Sequence, residues 1–158
     1  MIRAKEHKDK VYRTIGAAMK VYDTVGYGLL EAVYQECLDI ELDKVGLEHR
    51  CEEEIDIYYG DTPLKKKYRM DIVVGDVVVE LKSVSKINSA HRAQLCNYLR
   101  LTNKPVGVLI NFGASKIQGE RWALDYATRE CILVDMAMEP VYLDYDPFAD
   151  GTIEELEE

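Results

Sequence analysis

The sequence predicts a single α/β sandwich, and three observations support this prediction. With 158 residues, the chain is long enough to bury the core of one domain. Its apolar patterns predict helices, then three antiparallel strands, then a helix and a strand. The central hairpin of those strands has one wholly apolar face, which we expect to form core.

Helical periodicity predicts two helices in the first third of the chain. The first is expected to stop near Gly26. Its apolar residues at helical spacing are Val11, Ile15, Ala18 and Tyr22. The second is expected to begin near Gly28 and to end at Gly46. Its predicted inward face consists of Leu30, Val33, Cys37 and Ile40.

Strand and turn signals dominate the middle of the chain. We expect strands over about 54–59, 66–74 and 77–82, with residues 60–63 as the first turn. The elements predicted beyond them are a helix over 89–101 capped by Asn88 or Ser89, a buried strand over 106–112, a helix over about 115–129 and a strand over 131–134.

The hairpin RMDIVVGDVVVELK folds about Gly75 and Asp76, with glycine first as a type II′ turn prefers. Counting outward, the predicted opposed pairs are Val74 with Val77, Ile72 with Val79, Asp71 with Glu80, and Arg69 with Lys82. The predicted apolar face consists of Met70, Ile72, Val74, Val77, Val79 and Leu81. The other face therefore carries the charged residues.

Two carboxylates, Asp71 and Glu80, are predicted to face each other across this hairpin. Directly opposed side chains have Cβ atoms ~5 Å apart, and two negative charges at that separation repel by ~3 kcal/mol at an effective dielectric of ~20. A sheet keeps such a pair only with compensation. A shared proton, a basic neighbour such as Lys82 or Arg69, or a divalent cation would supply it, and Mg²⁺ suits oxygen ligands.

The charges are distributed unevenly along the chain. The formal net charge is -9, yet residues 135–158 carry the entire acidic excess. Residues 65–121 hold eleven bases and four acids, two of which are the hairpin carboxylates. A basic segment around a carboxylate pair favours a phosphodiester substrate, although Lys65, Lys66 and Lys67 taken alone would also suit a solvated strand end.

Composition predicts where the domain ends and in which cellular compartment the protein lies. We expect one domain over residues 1–145 and an acidic, flexible tail over 146–158. No apolar run approaches the ~20 residues of a membrane span, and no signal peptide is evident, so we expect a cytoplasmic protein with no membrane partner.

The cysteines and histidines do not predict a metal site. Cys37, Cys51, Cys96 and Cys131 match no zinc spacing and are predicted to be reduced and mostly packed in the interior. The sequence has only three histidines, which argues against a histidine-based metal site.

Three motifs resemble a known group. Asp71, eight intervening residues and Glu80-Leu81-Lys82 resemble the PD-(D/E)XK nuclease signature, with Met70 where proline often stands. The stretch GLLEAVY at 28–34 resembles the motif of the GxxExxY family, a bacterial and archaeal group in that superfamily. AQLCNYLRL supplies a Q-x-x-x-Y pair, and GVLINFG is also typical of the group. The resemblance spans about residues 26–121.

The resemblance implies a restriction-endonuclease-like three-layer sandwich with a mixed central sheet and core order α-β-β-β-α-β. It implies a nuclease that uses Mg²⁺ or Mn²⁺ on nucleic acid, with DNA as the expected substrate and 5′-phosphate products. The catalytic residues expected are Asp71, Glu80, Lys82 and Gln94. The metal ligands expected are Asp71, Glu80, the Leu81 carbonyl and Glu31. The substrate contacts expected are Tyr98, His91, Arg69 and Arg121.

Several alternatives stay open at this point. Glu31 would also complement the N-terminal dipole of its helix, and Tyr34 suits packing. His91, Gln94 and Tyr98 share a helix face, but Tyr98 would also suit a core. A catalytically silent nucleic-acid-binding or regulatory module is the alternative function. RNA as substrate and a homodimer are compatible with the same residues.

Overall fold

A computed structural model describes residues 1–149. The helices are α1 (Lys8–Val25), α2 (Glu31–Lys44) and α3 (Ser89–Thr102). The strands are β1 (Arg50–Ile55), β2 (Tyr58–Tyr59), β3 (Thr62–Pro63), β4 (Tyr68–Val74), β5 (Val77–Lys82), β6 (Val106–Asn111), β7 (Gln118–Leu124) and β8 (Cys131–Val134). A short 3-10 turn at Lys5–His7 precedes α1.

Six strands form one mixed sheet in the order β1-β4-β5-β6-β7-β8. Strands β5 and β6 pair in parallel, and the other neighbours pair antiparallel. The parallel pair requires a crossover, and α3 supplies it. Strands β2 and β3 form a separate two-stranded ribbon.

Helices cover both faces of the sheet. One face packs against α1 and α2 through a core that includes Val11, Tyr34, Leu38 and Leu42. The opposite face packs against α3 through a second core that includes Leu95, Leu99 and Trp122. The predicted three-layer α/β sandwich with a mixed central sheet is therefore confirmed.

Several predicted elements are confirmed at nearly the predicted bounds. Helix α1 ends at Gly26, whose φ of 77° suits glycine. Asn88 caps α3, because its side chain accepts a hydrogen bond from the His91 N–H. Gly75 has a φ of 60°, as the first position of a type II′ turn requires. Strands β5, β6 and β8 also lie where the sequence places them.

The predicted helix over 115–129 is wrong, because this segment forms strand β7. Its residues alternate between the two cores: Ala123 packs on the α1 side, whereas Trp122 and Leu124 pack on the α3 side. Backbone pairing with β6 on one edge and β8 on the other supplies the hydrogen bonds that a helix would have made internally. Tertiary pairing overrides the local helical pattern here.

The predicted inward face of α2 is wrong for three of its four residues, and only Cys37 packs against the core, where it is partly buried. Leu30 is 76% exposed and lies before the helix, and Val33 and Ile40 are exposed as well. The buried side chains are Tyr34, Leu38, Glu41 and Leu42. This stripe lies about one residue, or roughly 100°, around the helix from the predicted one. The first strand is displaced too, since β1 begins at Arg50.

The chain after β8 returns to the domain before the described residues end. The Phe148 ring lies 5.4 Å from that of Trp122, and the Pro147 carbonyl accepts a hydrogen bond from Arg92. The domain boundary at residue 145 and the flexible tail stay predictions, and most of that tail, residues 150–158, lies outside the described residues. Within residues 1–149, none of the helices has the length and apolar character needed to cross a membrane.

Candidate active site

The central hairpin loses its regular pairing at the two acidic residues. Backbone pairing between β4 and β5 runs from the turn to Ile72 and Val79 and then stops. The predicted continuation, with Asp71 opposite Glu80 and Arg69 opposite Lys82, is not formed as a ladder. Strand β4 separates from β5 at this point, and the side chain of Met70 packs in the core beneath α3 rather than with Ile72.

Each carboxylate binds the backbone of the other strand. The Asp71 N–H donates to Glu80 Oε1 at 3.0 Å, and the Leu81 N–H donates to Asp71 Oδ2 at 2.8 Å. These bonds replace the missing ladder bonds and fix both side chains. Since each uses one oxygen, each carboxylate has a second oxygen with no donor among residues 1–149.

The two carboxylates lie in an environment that disfavours their ionised forms. Burial is the main cause of a rise in the pKa of Glu80 to about 8, and the charge of Asp71 raises it further. Burial also raises the pKa of Asp71 to about 6, although the Leu81 N–H opposes this rise. A pair with raised pKa values in a cleft is typical of a functional site, and a divalent cation would compensate its charge.

The carboxylate pair makes stability depend on pH in a defined direction. Because folding raises both pKa values from 3.8 and 4.5, the folded state binds more protons than the unfolded state. We therefore expect this pair to stabilise the metal-free protein fully only below about pH 4, where both carboxyls are protonated in the folded and unfolded states. That contribution should fall, by on the order of 5 kcal/mol, as the pH rises from about 4 to 8, and most steeply between about 4 and 6. Urea denaturation at several pH values, with chelator present, measures this loss.

A double variant provides the control for that measurement. Asp71→Asn with Glu80→Gln should remove most of the slope. His49 should keep a smaller slope of the same sign, since the pKa of its imidazole is also raised on folding. An unchanged slope in the double variant would show that other groups cause it.

Lys82 is held beside the pair by helix α3. Its Nζ donates to Gln94 Oε1 at 2.8 Å, and Gln94 Nε2 donates to the Tyr98 hydroxyl at 2.9 Å. Glu80 and Lys82 project from the α3 face of β5, because Val79 and Leu81 between them pack on the other face. The structure thus brings together Asp71, Glu80, Lys82, Gln94 and Tyr98.

Glu31 lies at the start of α2. The turn before it depends on Gly26, Gly28 and Tyr34. Gly26 and Gly28 have φ of 77° and 84°, a region that favours glycine. The buried Tyr34 hydroxyl donates to the Gly26 carbonyl at 2.7 Å and accepts from the Leu29 N–H at 3.1 Å. Its ring stacks on Phe112 at 4.3 Å. Tyr34 therefore holds the turn that leads into Glu31.

The negative charge of Glu31 acts electrostatically on the carboxylate pair of Asp71 and Glu80. It contributes to the raised pKa values of both Asp71 and Glu80. Glu31 itself is exposed, so its side chain is accessible for a ligand held between α2 and the hairpin.

The segment after Lys82 is fixed from behind by Asn111, which is fully buried at the end of β6. Its side chain accepts from the Val84 N–H at 3.0 Å and donates to the Val84 carbonyl at 2.9 Å. The Ser83 hydroxyl donates to the Leu29 carbonyl, which ties the same segment to the turn before Glu31. These bonds couple the positions of Lys82 and Glu31.

The four predicted substrate contacts differ in their position relative to the carboxylate pair. His91 and Tyr98 both line a cavity of about 560 Å³ beside the pair. The His91 ring also closes the cap of α3 by accepting from the Asn88 N–H. Arg69 is exposed and lies 3.6 Å from Glu54 in an ion pair. Arg121 lies opposite Val108, whose side chain packs on the α1 face, so the structure does not bring it to this site.

The sequence missed two residues near the pair. Glu52 has a φ of 55°, which is rare for a non-glycine residue, and its charge contributes to the raised pKa of Asp71. Tyr68 lines the cavity, and its ring lies 5.9 Å from that of Tyr98. No local pattern distinguishes either residue, because the cross-strand and helix contacts give them their positions.

Comparison with known proteins assigns the chain to a family. The sequence profile described as "PD-(D/E)XK nuclease superfamily" matches residues 8–122, which is more than half of the chain. The chain belongs to the PD-(D/E)XK nuclease superfamily. The superfamily match includes every residue predicted for the site, from Glu31 to Arg121. No curated protein matches the sequence.

Solved structures support the same fold. A chain described as "Crystal structure of SSO0001" superposes with a TM-score of 0.50 and 22% sequence identity. The match covers 78% of the PD-(D/E)XK chain described here and 64% of the SSO0001 chain, which is less than two thirds of it. At this identity, the likeness concerns the fold alone.

Proposed function

We propose that this protein is a metal-dependent nuclease that hydrolyses phosphodiester bonds in DNA. The observation that carries the proposal is the buried Asp71 and Glu80 pair with Lys82 held beside it by Gln94. Carboxylates with raised pKa values next to an amine are groups suited to metal binding and water activation. The superfamily match makes phosphodiester hydrolysis the reaction that fits these groups.

Asp71 and Glu80 fit a hard divalent cation such as Mg²⁺ or Mn²⁺. All of the ligand atoms near them are oxygens, and each carboxylate keeps one oxygen without a donor within residues 1–149. The Leu81 carbonyl and the exposed Glu31 would complete the protein's share of the ligands. Bound there, the cation would supply Lewis-acid chemistry at the scissile phosphate.

Lys82 is the residue that would act on the attacking water. Its Nζ is restrained by Gln94, whose other end is held by the Tyr98 hydroxyl. The ammonium would orient the water, favour its deprotonation and offset charge on the phosphate. In this arrangement Gln94 and Tyr98 act through Lys82, as positioning residues.

The cavity beside the pair suits a nucleotide. The rings of Tyr68, His91 and Tyr98 lie on its wall, and aromatic faces stack on bases. Among residues 1–149, no lysine or arginine lines this cavity. Lys82, held by Gln94 of its wall, would therefore supply the cation for a phosphate. His91 is therefore a proposed base or phosphate contact in addition to its role in the helix cap.

We also propose that the chain is a member of the GxxExxY group. Gly28, Glu31 and Tyr34 each have a distinct physical role, since they provide the left-handed turn, the carboxylate and the anchor of that turn. The predicted homodimer and the cytoplasmic location stay predictions.

Lys82→Ala tests the proposed nuclease directly. Purified protein would be incubated with plasmid, linear duplex, single-stranded DNA and RNA, in Mg²⁺, Mn²⁺ or chelator. We expect metal-dependent cleavage of DNA that falls by roughly 100-fold or more in the variant, because a positioned general acid or base contributes about that factor.

Lys44→Ala serves as the matched control for this experiment. Lys44 is exposed in the last turn of α2, far along the helix from Glu31, so the control removes the same charge elsewhere. Cleavage of RNA alone would correct the substrate. If no substrate is cut and neither metal shifts the melting temperature, the proposal is wrong and the binding module takes its place.

A further inference from the structure

A second group of metal-ligating side chains lies at the junction of α2 and β1. Asp39 projects from α2, His49 from the loop that follows, and Cys51 from β1. One ligand atom from each residue lies within 4.8 Å of the other two. These atoms are a carboxylate oxygen, an imidazole nitrogen and a thiol sulfur, so the donor set differs from the all-oxygen pair of Asp71 and Glu80.

The orientation of the His49 ring is fixed as in a metal ligand. Its Nδ1 lies 2.8 Å from the Leu47 carbonyl. Because a carbonyl only accepts, Nδ1 must carry the proton of that hydrogen bond. This bond to a backbone carbonyl leaves Nε2 as the ligand atom, an arrangement typical of metal-bound histidine. The side chain is only 4% exposed, so the ring has little freedom to turn.

His49 Nε2 lies opposite a carboxylate. It is 2.6 Å from Asp39 Oδ1 and 3.9 Å from Asp43 Oδ1. A lone pair on Nε2 would repel these oxygens, so a proton or a cation must lie between them. In the metal-free protein a proton links His49 to Asp39, and the Cys51 thiol hydrogen-bonds the same carboxylate. All three side chains therefore converge on one point, which a metal ion would occupy in place of these protons.

Cys51 completes the cluster from the strand side. It is a free, partly buried thiol, and burial followed by the charge of Asp39 raises its pKa to about 11. The thiol is therefore protonated beside a carboxylate when no cation is present. A cation at this point would favour the thiolate, which is the form that binds metals.

We propose that Asp39, His49 and Cys51 form a Zn²⁺ site that ties α2 to β1. Zn²⁺ accepts nitrogen, sulfur and oxygen ligands together, whereas Mg²⁺ prefers oxygen alone. Asp43 or a water molecule would supply the fourth ligand. Binding displaces the proton on Cys51 and the proton shared by His49 and Asp39, so the affinity for Zn²⁺ should rise with pH.

The His49 and Asp39 ligands need only a small adjustment to hold the ion. Two ligands about 2 Å from a tetrahedral ion lie roughly 3.3 Å apart, so Asp39 must move away from His49 by somewhat less than 1 Å. The side chain of Asp39 is 46% exposed and is free to make this movement. The buried His49 ring stays in place.

The sequence did not predict this metal site. Cys51 and His49 match no zinc spacing, and we predicted packing cysteines and no histidine-based site. The third ligand, Asp39, lies on α2 ten residues before His49, and only the folded path of the loop between α2 and β1 brings it within reach.

Titration of reduced, chelator-stripped protein with Zn²⁺ tests the proposal, with a chelating dye as competitor. We expect one tightly bound ion per chain and a higher melting temperature. Co²⁺ in place of Zn²⁺ should give the near-ultraviolet absorption of a cobalt–thiolate bond. Cys51→Ser should abolish this band, and it should weaken Zn²⁺ binding by roughly 100-fold or more.

Matched variants separate this site from the others. Cys37 lies on α2 and is also a partly buried thiol, so Cys37→Ser should leave the cobalt band and the Zn²⁺ affinity unchanged. His49→Gln should weaken binding while Cys51 keeps the band. Asp71→Asn should not alter Zn²⁺ binding at this site, because the nuclease pair does not contribute a ligand to it.

Four results would overturn the proposal. These are no tight binding by the wild-type protein, no thiolate band with Co²⁺, unchanged affinity in Cys51→Ser and His49→Gln, or loss of the tight site in Asp71→Asn. If Cys51→Ser fails to fold, a thiolate band that persists in Cys37→Ser still identifies Cys51, since Cys96 and Cys131 are buried. Because no step uses cleavage as its readout, failure of the proposed nuclease would leave the result unaffected.

Discussion

Glu80→Gln is expected to abolish metal-dependent cleavage while raising the stability of the metal-free protein. Glutamine keeps the acceptor oxygen for the Asp71 N–H but removes the charge that burial and Asp71 disfavour. At about pH 8 the melting temperature should rise by roughly 5 °C, given that 1 kcal/mol corresponds to about 2–4 °C in a domain of this size. Cleavage should fall by roughly 1,000-fold or more, since electrostatic groups at the reacting centre contribute at this level.

The response to Mg²⁺ is the second readout for Glu80→Gln. Wild-type protein should gain stability when Mg²⁺ is added at about pH 8, because the cation binds the folded state, whereas the variant should gain little. Glu36→Gln, on the exposed side of α2, removes an equal charge and should match the wild-type protein in both measurements. A variant that is less stable than the wild type, yet cuts DNA normally, would contradict the role given to Glu80.

Local patterns predicted the hairpin and its charged residues. The turn at Gly75, the alternation of valines and the cap at Asn88 all depend on residues close together in sequence. The placement of Asp71 and Glu80 near each other follows from the same counting. The sequence could therefore predict that these two carboxylates lie close together, although the predicted positions of Arg69 and Met70 are not formed.

The geometry of the pair could not be predicted, because it depends on distant partners. Strand β4 leaves β5 at Asp71, and the carboxylates then bind each other's strands. Strand β1 pairs with β4 on the other edge, and Glu52 adopts its unusual φ beside this point. No pattern within the hairpin contains this information.

Arg121 shows how one wrong element changes a site prediction. As part of a helix, it would have had several possible orientations toward the substrate. In strand β7 its direction is fixed by pairing with Val108, on the face opposite the carboxylates. The change from helix to strand thus removes Arg121 from the site, whereas its sequence position suited a phosphate contact and a surface ion pair equally.

Gly113→Ala is expected to destabilise the protein and impair catalysis together. A Cβ at this position would lie 2.2 Å from the Val84 nitrogen and 2.3 Å from the Val84 oxygen. These are backbone atoms, so the segment after Lys82 must move, and both of its bonds to the buried Asn111 would be strained. Overpacking together with lost buried hydrogen bonds should cost roughly 3 kcal/mol or more, measured by urea denaturation.

Gly16→Ala is the matched control for Gly113→Ala. Comparing the two variants separates a local clash at Gly113 from a general intolerance of glycine-to-alanine substitution. Gly16 lies within α1 with nothing within 4 Å of an added Cβ, so alanine should stabilise the helix by about 1 kcal/mol.

In Gly113→Ala the displacement of Lys82 should lower the rate of cleavage even at temperatures where the variant is folded. Full activity of folded Gly113→Ala would show that the Ser83 and Val84 segment does not position Lys82. Loss of stability with full activity would then assign Asn111 and Gly113 to the fold alone.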